Sequence, residues 1–471
     1  METVINHDFQ AAIPGPLLKL LREEPVLQRA FIVGGFVRDG LLGRPSKDID
    51  VEVFDTGIEK LVKVLGGWGR VDLVGRSFGV IKLTLPGCAT VDFSLPRIDS
   101  KVAPGHRGFE IAFDESLSPA IASSRRDFTV NALFYDPRER LVRDEHGGLK
   151  DLDEGILRVV DSQTFTEDPL RVLRAMQFIS RFGFRPDQML LDLARKMVGS
   201  YPELAKERVG EEWLKWSSKS RYPAQSLEFL RDSGWIRHFP ELAQVIDVPQ
   251  DPEWHPEGDV FRHTMHCCEA LVNLPEWENA EASDRTVYLL AVLLHDIGKA
   301  STTDHVMKQG RMRVVSPGHE RVSAEMASQF FERIGISKAI EDRVIPLIAN
   351  HMVHLQEPTD RAVRRLAHRL RPETIEGLTL VMSADSLGRP PKPKVVPESV
   401  HKLLEHSKRM EISNSSPKPL LQGRDLLEIG YTPGPEMGRI LADAFSSQLD
   451  GEFGDKSAAL AWIAERYPRI A

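Results

Sequence analysis

The sequence predicts an α+β head built on a small mixed sheet, followed by an all-α neck, an all-α third domain and a helical tail. Three observations predict it. Residues 1–155 mix short β-like runs with helical stretches and hold most of the tight glycine turns. From Glu167 to about Arg231 the apolar residues recur at helical spacing. Residues 236–385 keep that spacing and contain most of the histidines. A chain of 471 residues is too long for one core. The shifts in pattern divide it into 1–155, 156–235, 236–400 and 401–471. Ser386–Ser399, with four prolines, reads as a connection, and Ser413–Pro419 as a loop before the tail.

Expected strands in the head are Ala30–Val33, Asp48–Phe54, Val80–Leu85 and Thr90–Leu95. The first ends in Gly34-Gly35, a pair that lets the backbone turn tightly and approach a phosphate. In the second, Ile49, Val51 and Val53 alternate with Asp48, Asp50 and Glu52, the period of a half-buried strand. Asp48 and Asp50 then project from one face. Two carboxylates so placed can hold divalent ions that activate a hydroxyl and stabilise a leaving pyrophosphate. Thr90–Leu95 alternates in the same way and offers Asp92 as a third acidic group. An ordinary solvated strand face would also carry an Asp-x-Asp; the double-glycine turn before it favours the chemical reading.

Arg125-Arg126-Asp127 precedes Phe128-Thr129-Val130-Asn131. Paired guanidiniums can fork onto phosphates, and the carboxylate can accept a ribose hydroxyl. A surface ion-pair cluster has the same composition. Further on, Asp168-Pro169 reads locally as a helix N-cap with proline at the first position. Asp168 and Arg171 are three apart on that helix, so an acceptor and donors face one way and can read a base edge.

In this order, Gly34-Gly35-x-Val37-Arg38-Asp39, Asp48-x-Asp50, Arg125-Arg126-Asp127 with Asn131-Ala132, Glu167-Asp168-x-x-Arg171 and Arg174-Ala175-x-x-Phe178 resemble the class II tRNA nucleotidyltransferase and bacterial poly(A) polymerase family, within the polymerase-β-like superfamily. The resemblance covers roughly the first 230 residues. It implies Mg2+ on Asp48 and Asp50, with attack of an RNA 3′-hydroxyl on the α-phosphate of CTP or ATP; Asp92 is a catalytic candidate from its strand alternation alone. The resemblance places Gly34, Gly35, Arg38, Arg125, Arg126, Asp127, Asn131 and Arg174 around the nucleotide. It makes Asp168 and Arg171 a protein template for the base. Glu207-Arg208-x-x-x-Glu212 is similar to a family motif that steadies the neck, and an ordinary helix ion pair reads the same.

Net charge is −8, so contact with tRNA must be local. From Arg171 to Arg221 there are 11 Lys and Arg against 6 Asp and Glu, a surplus that suits phosphate tracking or a plain solvated face. Arg361, Arg364, Arg365 and Arg369 lie opposite Val363, Leu366 and Leu370 in an amphipathic basic helix, where a solvated face is favoured over RNA contact. The three cysteines, Cys88, Cys267 and Cys268, form no CxxC pair. The longest apolar run, near Val287–Leu294, is too short to span a bilayer. No basic-then-apolar leader opens the chain. The expectation is a cytoplasmic protein with no membrane partner; a homodimer stays open.

His295-Asp296 closes an apolar helix, with His263 upstream and Asp385 downstream. Buried together, they need polar partners that a divalent metal supplies. The pattern resembles the HD phosphohydrolase superfamily over about 255–390. That resemblance implies His263, His295, Asp296 and Asp385 as ligands of a transition metal or Mg2+, with His319 and His351 as the extra histidines of metal-rich members. It also implies attack on a phosphoester such as a 2′,3′-cyclic phosphate, 2′-phosphate or 3′-terminal phosphate.

The segments at Gly423–Leu427 and Pro433–Gly438 are similar to the helical tail with which such nucleotidyltransferases grip tRNA. CCA addition and poly(A) synthesis share every motif above. The strand Gly75–Gly79 is not the Arg-rich strand of poly(A) polymerases, which favours tRNA. CC-adding or A-adding specificity turns on a loop within about 95–125. A reading from another class is an RNA-binding protein with one inactive module; the intact Asp48, Asp50, His295 and Asp296 oppose it.

Overall fold

The computed structural model describes residues 3–44, 46–74, 80–87, 90–101, 109–353 and 357–468. They form two compact units: residues through Trp216 with Gln225–His238, and Ser217–Ala224 with Phe239 onward. Gly75–Gly79, Cys88 and part of the 95–125 loop lie outside the described residues.

The first unit is built on β1 (Thr3–Asn6), β2 (Ala30–Val33), β3 (Asp50–Val53), β4 (Arg70–Val74), β5 (Val80–Thr84), β6 (Thr90–Ser94), β7 (Arg97–Lys101), β8 (Phe109–Phe113), β9 (Leu133–Asp136) and β10 (Leu141–Asp144). Eight of them form a mixed sheet in the order β1-β10-β9-β2-β3-β6-β5-β4. Within that sheet, among the described residues, only β3 and β6 run parallel; β7 and β8 pair as a separate hairpin. The sheet is larger than the sequence predicts. β9 is buried at all four positions, so it shows no alternation, and β1 is exposed at all four. The expected strand 48–54 is also shorter, running from Asp50 to Val53.

The alternation sorts the sheet faces. Ile32, Val51, Val53, Ile81, Leu83, Val91 and Phe93 share one core with Leu17, Leu20, Leu61 and Leu65 of the covering helices. Phe31, Val33, Phe54 and Phe134 make a smaller cluster of their own. Full burial of one such side chain stabilises by about 1.5–3 kcal/mol. A one-residue slip would turn this apolar set to the other face, so the core fixes where Asp50, Glu52 and Asp92 point.

In the neck the helix spans Leu170–Phe182 with Pro169, not Asp168, at its N-cap. Asp168 sits one place earlier and closes the preceding helix Ser162–Glu167, while its Oδ1 still accepts from Leu170 N at 3.1 Å. The neck is not purely helical, since β11 (Ile156–Leu157) pairs with β12 (Arg185–Pro186).

The second unit is helical except for the hairpin β13 (Asp304–Lys308) and β14 (Arg311–Val315). Gln309 and Gly310 turn it with φ of 49° and 74°, the geometry of a tight two-residue turn. Its strands are largely exposed, which removes the apolar pattern that would predict them. The basic helix Asp360–Arg369 buries Val363 and Leu366 as expected. Its arginines, however, are not a bare solvated face. Arg361 and Arg365 pair with Asp450, and Arg364 Nε donates to Leu449 O at 2.9 Å, at the C-terminal end of the tail helix Pro435–Asp450. Cations are favoured at that end of a helix dipole. No helix among the described residues is long and apolar enough to cross a membrane.

Candidate active sites

In the head, Gly34 caps the helix Gly35–Leu41 at φ +71°, a conformation that L side chains rarely adopt. A Cβ there would stand 3.0 Å from Arg126 Nη1, so the turn and the arginine pair converge. Asp50 and Asp92 are register partners across the parallel β3–β6 pair. Burial pushes the Asp50 carboxyl above the ordinary carboxylate range; Arg126 pulls it down, and the charges of Asp92 and Asp48 raise it again. Asp50 and Asp48 both reach solvent. Lys82 Nζ lies 3.0 Å from both Asp92 oxygens, leaving Asp48 and Asp50 as the less neutralised pair. Such crowding of negative charge on an open strand end fits divalent cations.

Glu52, on the same strand face as Asp50, is fully buried and accepts from Arg125 Nη2 at 2.9 Å and Arg126 Nη2 at 3.3 Å. It holds both guanidiniums, and their buried Nε groups have no hydrogen-bond partner. The same alternation that reveals Asp48 and Asp50 includes Glu52. Its partners, 73 and 74 residues away, carry no local signal.

Other motif residues are joined to one another. Arg38 is buried, bonded to Asp39 and Asn131, and stacked on Phe178 and Phe182. Asn131 Nδ2 donates to Asp127 Oδ1 at 2.8 Å. Asp127 also accepts from Phe128 N and from Arg174 through Nε and Nη2. Four donors fill that carboxylate, so a ribose hydroxyl would have to displace one. Arg208 Nη2 holds Asp168 at 3.1 Å, and Arg171 donates to Thr164 O and Arg125 O. Both base-reading candidates are therefore fixed in place. Glu212 is buried and receives Lys215 Nζ at 2.7 Å.

Burial opposes the charge of Asp127, yet Arg174, Asn131 and Arg171 hold its carboxyl down to about 2, against 3.8 ordinarily. A depressed pKa stabilises above the unfolded value and loses that stability as pH falls from 3.8 toward 2. The shift is worth about 2 kcal/mol. Asp127→Asn should therefore lower urea-unfolding stability by about that much near neutrality. The gap between the two proteins should close as pH falls through this window.

The second unit gathers a second cluster from helix ends. Asp259 caps the helix Val260–Val272 through Arg262 N, setting His263 on its first turn. His295 and Asp296 follow the buried helix Ala282–Leu294, His319 opens the helix His319–Ile334, His351 closes Lys338–Asn350, and Asp385 lies on Ile375–Leu387. Gly388 makes the last approach possible, because a Cβ there would stand 2.4 Å from Cys267 Sγ. Gly298 does the same beneath the His-Asp pair, where a Cβ would meet His319 O at 2.4 Å.

The histidines share one orientation. His295, His319 and His351 each place Nδ1 2.7 Å from the carbonyl three residues earlier. His263 Nδ1 lies 2.7 Å from Glu257 Oε1. Each Nε2 turns toward the carboxylates: Asp296 has those of His263, His295, His319 and His351 within 3.1–3.7 Å, and Asp385 lies 3.1 Å from that of His263. The buried Nε2 of His295 has no hydrogen bond. Anchored Nδ1 with inward Nε2 is the arrangement of metal-ligating imidazoles, so the residues fit a divalent ion. Burial opposes the charge of Asp296, but His295 and Lys299 hold its carboxyl well below the usual range. Arg389 does this for Asp385 against the same opposition. Glu257, which also meets His255, is an anchor that the sequence pattern does not single out. A cavity of about 790 Å³ opens over the cluster, walled in part by Trp254, Met307, Met352, Lys299, Lys308 and Arg389.

Fold and site together define a nucleotidyltransferase head joined to an HD domain. Residues 30–158 match the Poly A polymerase head domain and residues 262–389 the HD domain. Over 368 residues the chain is 33% identical to the multifunctional CCA protein of Nitrosococcus oceani, covering 76% of this chain and 84% of that protein. It is 32% identical to that of Xanthomonas campestris pv. campestris, covering 88% and 97%. The chain belongs to the multifunctional CCA protein family. The fold also matches a Thermotoga maritima CCA-adding enzyme complexed with tRNA-CCA, with a TM-score of 0.58, 19% identity and coverage of 99% and 100%. A CCA-adding enzyme complexed with CTP matches with a TM-score of 0.60, 20% identity and coverage of 98% and 97%.

Proposed function

We propose that the chain adds CCA to the 3′ end of tRNA from CTP and ATP, and that its HD domain cleaves phosphoesters at RNA or nucleotide termini. The convergence of Asp48, Asp50 and Asp92 beside the Gly34 turn and Arg126 is the observation that supports this most strongly. Asp48 and Asp50 would hold Mg2+, with Asp92 beside them. Bound there, Mg2+ supplies the charge that activates the 3′-hydroxyl and neutralises the departing pyrophosphate. Arg125 and Arg126, braced by Glu52, bind the triphosphate. Asp127, Asn131, Arg38 and Arg174 keep the neck helix in register with the head.

Asp168 and Arg171 read cytosine or adenine. Because Arg208 and two carbonyls fix them, the pair is preorganised. Asp168→Ala should relax the choice between CTP and ATP more than it slows transfer. An unchanged nucleotide preference in competition assays would remove the templating role.

His263, His295, Asp296, His319, His351 and Asp385 would hold a divalent metal that supplies an activated water for phosphoester cleavage. The cavity pairs apolar walls at Trp254 and Met307 with the cations Lys299, Lys308 and Arg389, a lining that suits a base and its phosphate. A tRNA lacking CCA, incubated with CTP, ATP and Mg2+, should grow by three nucleotides and stop. Unlimited adenosine addition would identify a poly(A) polymerase, and no growth would refute transfer.

A further inference from the structure

The pattern His, His-Asp, Asp calls for no sulfur, yet this chain places one among those residues. Cys267 lies one helical turn after His263 and is fully buried. Its Sγ is 3.3 Å from His263 Nε2 and 3.8 Å from the Asp385 carbonyl oxygen. Donor atoms of His263, Cys267, His295 and Asp385 all lie within 4.8 Å of one another. Among them is the buried His295 Nε2, which has no hydrogen bond. His295 also belongs to a second group with Asp296 and His351. A third group, His255, Glu257 and His263, shares His263, so the donor sets overlap and one of them contains sulfur. Cys268, the next residue, appears in none of these sets.

We propose that Cys267 is a thiolate ligand of the HD metal centre and biases it toward borderline or soft divalent ions such as Zn2+ or Co2+ over Mg2+. The inference rests on the metal-binding reading of the HD cluster. Thiolate sulfur favours those ions, whereas carboxylate and water donors suit Mg2+. On binding, the S–H proton leaves to solvent as the sulfur–metal bond forms; nothing is oxidised or reduced.

The test titrates the full-length metal-free protein with Co2+ and records its absorption. Visible ligand-field bands report Co2+ held by nitrogen and oxygen donors, and a near-ultraviolet charge-transfer band reports a thiolate bond. Wild type should show both. Cys267→Ser should keep the visible bands, lose the charge-transfer band, and bind Co2+ and Zn2+ about tenfold or more weakly with Mg2+ affinity unchanged. Cys268→Ser should keep the charge-transfer band. Visible bands without charge transfer in wild type would overturn the sulfur ligand while leaving the metal site standing. No ligand-field bands at all would refute both readings.

Discussion

Asp50→Ala should reduce nucleotide addition by at least about a thousandfold, a loss of about 4 kcal/mol of transition-state stabilisation. Asp50 sits in register with Asp92, and the charges of Asp92 and Asp48 act on it. Removing its carboxylate takes away a ligand that Asp92 cannot replace, because Lys82 already spans both Asp92 oxygens. Folding should survive, since Asp50 reaches solvent and contributes nothing to the apolar core behind β3. Single-turnover extension of a tRNA lacking CCA reads the effect. Opening of a nucleoside 2′,3′-cyclic phosphate to its monoester, or phosphate release from a nucleoside 2′-phosphate, by the HD domain should continue. Loss of both activities would point to misfolding or a shared site.

Asp296→Ala should do the reverse, abolishing metal retention and phosphoester cleavage while tRNA extension continues. Asp296 lies within 3.7 Å of four imidazole Nε2 atoms and 2.7 Å from Lys299 Nζ. Without it, the buried imidazoles and an ammonium keep only Glu257, on the outer side of His263, and Asp385, itself engaged by Arg389. Leaving buried charge uncompensated costs about 3–5 kcal/mol, so the variant should also unfold more readily. Metal content after dialysis separates the two effects: a folded Asp296→Ala that still retains stoichiometric metal would contradict this assignment.

The sequence shows the chemistry more clearly than its supports. Asp50 and Asp92 are legible because half-buried strands alternate; Asp48 shares the sequence pattern but precedes the first residue of β3. His295-Asp296 is legible because a polar pair at the end of an apolar helix needs partners. Glu52 has the same alternation as Asp50, but its burial depends on arginines contributed from beyond β8. Asn131, Arg38, Asp127 and Arg174 are recognisable by type. Asn131 and Asp127 are four residues apart, but the bonds from Arg174 and Arg38 that complete the linkage span 47 and 93 residues, which local pattern does not encode. The arginines of Asp360–Arg369 look solvated in sequence because their partner, Asp450, is 85 residues away from Arg365. The exposed hairpin β13–β14 and the fully buried β9 are invisible for opposite reasons, since neither alternates.

The most direct measurement of the central claim is Mn2+ binding by electron paramagnetic resonance, with and without CTP, in wild type, Asp50→Ala and Asp296→Ala. The account predicts a CTP-dependent population of bound Mn2+ that disappears only in Asp50→Ala, and a CTP-independent population that disappears only in Asp296→Ala. Undiminished CTP-dependent Mn2+ in Asp50→Ala would contradict it.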